Sequence, residues 1–133
     1  MKIMRANTVS ISDLELKNTV SYMGQLPEII PPQSNERLKS FEETLRRIEE
    51  NNVKVILFVV PRHQYYLTNT QSNYEMTFEQ ILNKLQQDGF KVYKRNQNYS
   101  ALPMWHDLTH IAVNKNSYPF NQDVAKMIQD ELN

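Results

Sequence analysis

The chain has no cysteine and only two glycines among its 133 residues. Without thiols there is no disulfide framework and no thiolate metal site, and the redox compartment leaves no trace in the composition. Two glycines are too few for a glycine-rich phosphate loop, which needs backbone at positive φ and close approach to the ligand, so dinucleotide and P-loop readings fall. No apolar run approaches the roughly 18 to 20 residues of a membrane helix. The opening Met1-Lys2-Ile3-Met4-Arg5-Ala6 has no signal-peptide core. An excess of one charge is missing too: 15 lysines and arginines face 15 aspartates and glutamates. No global field therefore draws in nucleic acid or an anionic membrane, and any charged ligand must be recognised locally. What is left is a chain of one domain's length, able to bury a core but short for a full multi-strand α/β enzyme. No cofactor is implied, and the localisation is not written in the composition.

The most apolar stretch is Val53-Lys54-Val55-Ile56-Leu57-Phe58-Val59-Val60, ended by Pro61. Its β-branched and aromatic content predicts a strand buried on both faces. Loops leaving the carboxyl ends of such strands are where ligands sit in α/β sheets, so Pro61-Arg62-His63 is a natural site, with Trp105-His106-Asp107-Leu108-Thr109-His110 as its partner.

Along the chain, Ser12, Asp13 and Glu15 predict a capped helix closed by Gly24, and Pro27, Pro31 and Pro32 an extended connection. Residues 1–33 read as an amino-terminal extension or packing arm, and 34–133 as the α/β domain. Leu38, Phe41, Leu45 and Ile48 recur at helical spacing and predict a helix over 35–50, with Glu42 to Arg46 and Glu43 to Arg47 as i,i+4 pairs. Residues 62–76 are polar and predict a long loop of the kind that carries function. Thr77 and Gln80 predict a capping box for a helix that buries Phe78, Ile81, Leu82 and Leu85 and ends at Asp88-Gly89. A short edge strand holding Phe90 and Val92 follows, then a loop from Asn96 to Met104. After Pro119 comes a last helix with Val124, Met127, Ile128 and Leu132 inward. This alternation predicts a three-layer α/β fold, a short, mainly parallel sheet flanked by helices.

Asp107-Leu108-Thr109-His110 is the sharpest chemical signal. A carboxylate three residues before an imidazole orients the ring and stabilises its protonated form while the ring acts as general base. The structural alternative is that Asp107 caps a turn and His110 is an ordinary histidine. His106 and His110 also have the spacing of two metal ligands on one helical face, with His63 as a third, and this reading competes for His110. Arg62, Lys91, Lys94 and Arg95 could gather around an anion, or simply solvate an edge. Tyr65, Tyr66, Tyr99 and Trp105 offer flat faces to a carbohydrate or acyl group, or close loops over a core.

The Asp-x-x-His motif ahead of a terminal helix, with the strand ending in Pro61 and followed by His63 and Tyr65-Tyr66, resembles the SGNH (GDSL-like) hydrolase superfamily over residues 35–133. The resemblance implies an SGNH- or flavodoxin-like sheet, Asp107 and His110 as triad acid and base, and ester hydrolysis or acyl transfer. Arg62, His63, Tyr65 and Trp105 become the binding residues for an ester or carbohydrate ligand, with no metal. The sequence has no Gly-Asp-Ser and no Gly-x-Asn-Asp, and Ser10 and Ser12 lie in Val-Ser-Ile-Ser-Asp without the nucleophile block. The acid and base thus stand without an assigned nucleophile or oxyanion donors. The alternative expectation is a non-catalytic binding or assembly module derived from that fold. A sheet of two strands further predicts self-association, or a missing amino-terminal half.

Overall fold

Asn35 accepts a hydrogen bond from the Leu38 N–H at 3.0 Å and caps helix α2, Glu36–Glu50. Leu38 and Leu45 are buried along its inner face, but Phe41 and Ile48, expected beside them, are exposed, so the apolar stripe is narrower than its periodicity suggests. Glu42, expected to pair with Arg46, instead receives Lys84 Nζ at 2.9 Å. Asn52 then takes φ +61°, a left-handed turn asparagine tolerates, and leads into β1, Ile56–Val59. The strand is shorter than its apolar run and only half-buried, with Val53 and Val60 exposed. The physical reason is the sheet itself: among the described residues it has two strands, β1 lying parallel to β2, Lys91–Lys94, from Ile56 opposite Lys91 to Val59 opposite Lys94.

The computed structural model describes residues 9–24 and 26–133. The opening segment Met1 to Ala6, read above as lacking a signal-peptide core, lies outside them. The described chain divides into two units, one of 26–60 and 70–95 and one of 9–24, 61–69 and 96–133. Asp13–Thr19 belongs with the carboxyl-terminal third, and 26–33 belong with α2.

The first, the sheet unit, holds α2, β1, β2 and α4, Ser72–Gln87. Residues 62–76, expected as one loop, contain α3, Gln64–Asn69, and the first turn of α4. Thr77 is therefore interior to α4 rather than its cap. Gln71 occupies the cap position, and its carbonyl accepts the Tyr74 and Glu75 N–H groups. The helix ends as expected at Asp88, where Gly89 takes φ +92°, a conformation that costs other residues a Cβ clash. Leu38, Leu45, Leu82, Leu85, Phe90 and Val92 form the core, with Val55, Leu57, Val59, Phe78 and Ile81 packed against it.

The second, the loop-rich unit, holds α1, Asp13–Thr19, then α3 and, after a long irregular segment, α5, Tyr118–Leu132. Ser12 caps α1 through a reciprocal box: its hydroxyl accepts the Glu15 N–H, and the Glu15 carboxylate accepts the Ser12 N–H at 2.9 Å and its hydroxyl at 2.7 Å. The helix stops well before Gly24 and tightens into a 3-10 turn at Val20–Tyr22. Pro119, expected ahead of α5, sits in its first turn, where a missing N–H costs nothing. Met127 is buried on α5, whereas Ile128 and Leu132 are exposed. The core here is Leu16, Met104, Trp105 and Leu108, ringed by Ile11, Val20, Met23, Tyr65, Tyr66, Tyr99, Ile111 and Phe120.

Among the described residues, five α-helices and a two-stranded parallel sheet make a mixed α/β architecture. No described helix is long and apolar enough to cross a membrane.

Candidate functional site

Residues 105–111 form a tight reversal in the loop-rich unit. Trp105 and Ile111 are bridged antiparallel, and the His110 carbonyl accepts the His106 N–H at 2.9 Å. Residues 106–110 are thus a hairpin-like loop, not the helix turn that a two-histidine metal site at this spacing needs. His106 points Nδ1 at the Val9 carbonyl, 2.9 Å away. Among the described residues no group of three or more histidines and carboxylates has metal-holding geometry.

The reversal brings Asp107 against its own loop. Its Oδ1 accepts the Thr109 N–H at 2.7 Å, the His110 N–H at 2.8 Å and the Thr109 hydroxyl at 3.1 Å. Its Oδ2 lies 2.8 Å from His110 Nδ1. Burial alone would push the Asp107 carboxyl up, but these hydrogen bonds together outweigh it and hold the group below its ordinary range. An ionised carboxylate only accepts, so Nδ1 of His110 carries the proton and neutral His110 presents its lone pair at Nε2. The side chain of His110 is 65% exposed, and Nε2 has no partner among the described residues. The arrangement can take a proton from an incoming hydroxyl or water at Nε2 and stabilise the imidazolium through Asp107.

A second imidazole–carboxylate pair is built the opposite way. His63 is 2% exposed. The Tyr65 N–H donates to its Nδ1 at 3.1 Å, which leaves the proton on Nε2, 3.7 Å from Asp13 Oδ1. Asp13 also accepts the Tyr65 hydroxyl at 2.6 Å, a bond that pushes the phenol up. Burial pushes His63 down, and the nearby Asp13 carboxylate only partly restores it. His63 packs its ring on Tyr65 at 4.8 Å and edge-on to Trp105 at 5.7 Å. It is a neutral core histidine with no surface for a ligand.

The four residues expected to bind a ligand therefore differ in kind. Trp105 is fully buried, its Nε1–H finds no acceptor among the described residues, and it serves as the core of the unit. Tyr65 is tied to Asp13, and His63 lies behind it. Arg62 is partly exposed and donates from Nη1 to the Thr109 carbonyl at 3.0 Å, its guanidinium 5.7 Å from the Tyr66 ring centre. Lys91, Lys94 and Arg95 belong to the sheet unit, where Lys94 is held by Glu79 and Asn83 and the other two flank Tyr93. Asp13 was read only as a helix start, because its link to His63 and Tyr65 spans about fifty residues and no local pattern announces it.

Both hydroxyls of the Val-Ser-Ile-Ser segment are hydrogen-bonded, and among the described residues neither has a histidine as its partner. Ser12 gives its proton to Glu15, and Ser10 accepts the Asn114 amide at 2.9 Å. Comparison with protein families, with curated proteins and with solved structures found no match.

Proposed function

We propose that the loop-rich unit carries the acid–base half of an SGNH-like ester hydrolase or acyltransferase site, with His110 as the general base and Asp107 as the carboxylate that orients it. The observation that carries this reading is the exposed His110 side chain with its Nδ1 on an ionised Asp107. A histidine kept only for packing has no reason to hold that polarity at the surface. The ligand is an O-acyl ester or acylated carbohydrate, and the base acts on a hydroxyl other than Ser10 or Ser12.

The engaged state of both serines also supports a second reading, in which the same surface binds a carbohydrate without turning it over. One experiment separates the two. ¹⁵N-labelled chain is titrated with an acetylated oligosaccharide and with its deacetylated form while the His110 Nε2 signal is followed. A parallel assay measures turnover of p-nitrophenyl acetate. The catalytic reading expects a saturable Nε2 shift with the acetylated ligand only, and no turnover removed by Ser10→Ala or Ser12→Ala. Equal shifts with both ligands favour the binding module. No shift with either overturns both.

A further inference from the structure

The two amides that hold Asp107 are gripped from behind. The Thr109 N–H belongs to the peptide whose carbonyl is that of Leu108, and this oxygen accepts the His63 N–H at 3.1 Å. The His110 N–H belongs to the peptide whose carbonyl is that of Thr109, and this oxygen accepts the Arg62 guanidinium at 3.0 Å. Each peptide is thus a bridge with a donor on its oxygen and the same Asp107 oxygen on its nitrogen. The Arg62 bridge has a cation at one end and a carboxylate at the other. Hydrogen bonds in such a chain polarise one another, and bonds with an ionised end are the stronger kind.

The backbone that delivers these groups is itself pinned at three consecutive amides. The N–H groups of Arg62, His63 and Gln64 donate to the carbonyls of Asn96, Leu108 and Ser100, at 3.0, 3.1 and 3.1 Å. Two stretches of chain, the loop at 96–100 and the reversal at Leu108, are tied to one short run of residues, so the Arg62 side chain starts from a fixed point.

From this geometry we infer that Arg62 is a positioning residue for the Asp107–His110 pair, acting through the Thr109–His110 peptide bond rather than by touching a substrate. The guanidinium draws electron density toward the Thr109 oxygen, which makes the His110 N–H a better donor to Asp107 Oδ1. With Oδ1 fixed by the backbone, the carboxylate is held with both oxygens in reach of His110 Nδ1, Oδ2 at 2.8 Å and Oδ1 at 3.0 Å. Lysine reproduces this only in part, because its ammonium lacks the planar fork that holds a fixed approach. The inference deepens the proposed function but does not depend on turnover, since its effect lies on the ionisation and tautomer of two side chains.

The test is an NMR titration of the full chain and of Arg62→Met and Arg62→Lys. It follows the Asp107 carboxyl carbon, both His110 ring nitrogens and the His110 amide proton. In Arg62→Met the Asp107 titration is expected to move upward, the His110 amide proton upfield, and the Nδ1–H tautomer to lose population, with Arg62→Lys in between. A merely structural arginine would lower stability without moving these titrations. Unchanged Asp107 and His110 titrations in a folded Arg62→Met chain would overturn the inference. Should that variant not fold, the unaltered chain decides: the Thr109 carbonyl carbon and the Arg62 guanidinium protons must shift in step with Asp107 ionisation, and independence of the three signals overturns the inference equally. If these shifts appear while no ester or carbohydrate perturbs Nε2, the positioning stands and the proposed function falls.

Discussion

The two units use opposite means to become specific. The sheet unit is closed by leucines of α2 and α4 together with Phe90 and Val92, and its charges stay near the surface, with Arg46 lying over the Phe90 ring and Lys84 between Glu42 and Asp88. The loop-rich unit surrounds one tryptophan with tyrosines and contains all three buried polar side chains of the described residues, His63, Asn96 and Ser117. Apolar packing tolerates many arrangements of similar volume, whereas a buried polar network accepts only those that satisfy its donors and acceptors. The candidate site lies in the second kind of environment, where irregular backbone is held still by hydrogen bonds.

Truncation at the two centres is the strongest way to break this comparison. Trp105→Ala is expected to cost about 3–5 kcal/mol and Leu85→Ala about 2–5 kcal/mol, read by urea unfolding followed by circular dichroism. The tryptophan variant should also perturb the His63 and His110 ring signals, which Leu85→Ala should leave alone. Equal disturbance of those signals by both would erase the distinction between the units.

Acid sharpens it. Burial depresses His63 below its ordinary value of 6.5, with Asp13 opposing. The unfolded chain therefore takes up this proton first as the pH falls. Stability is complete above about 6.5, is lost as the pH drops from there toward the folded value, and then levels off, with a slope bounded by one proton at about 1.4 kcal/mol per pH unit. Asp107 acts in a lower window: its depressed carboxyl contributes above its ordinary 3.8 and loses that contribution as the pH falls through the folded value. Melting temperatures of the native chain and of His63→Gln should diverge in shape as the pH falls below about 6.5 and run parallel above it. A native profile that is flat through that range would remove His63 from the account.

The smallest expected effect is at the α1 cap. Ser12→Ala removes one hydroxyl from the Glu15 box and is expected to cost about 1 kcal/mol. A neutral result would mean that Leu16, buried in the core, anchors the helix without its cap.

What could be read in advance follows the same division. The helix over 36–50 and the Asp88-Gly89 stop were legible because an apolar stripe, a cap and a positive-φ glycine are local signals. The extent of β1 was overread, since an apolar run records only that a segment avoids water, not how many neighbours cover it. Residues 62–76 were misread as loop because Asn73, Tyr74 and Glu75 carry no apolar period, and α4 begins there on backbone bonds to Gln71. In the candidate site, the contact between Asp107 and His110 was visible from their spacing. Their support was not: the Arg62 and His63 donors join them across some forty-five residues, through peptide groups that have no letter in the sequence.

The chain has a single tryptophan, and it is the side chain at the centre of the loop-rich unit. Its emission is therefore an optical signal from that unit alone. Shielded from water and edge-on to the His63 ring, the indole should emit at short wavelength. Red-shifted emission would report the opening of the very residues that surround the candidate site, while far-ultraviolet dichroism, weighted toward α2 and α4 of the sheet unit and α5 of the loop-rich unit, would report helical structure in both. Emission that shifts before the dichroism falls would show, without any label, that the core around Trp105 yields ahead of the helices.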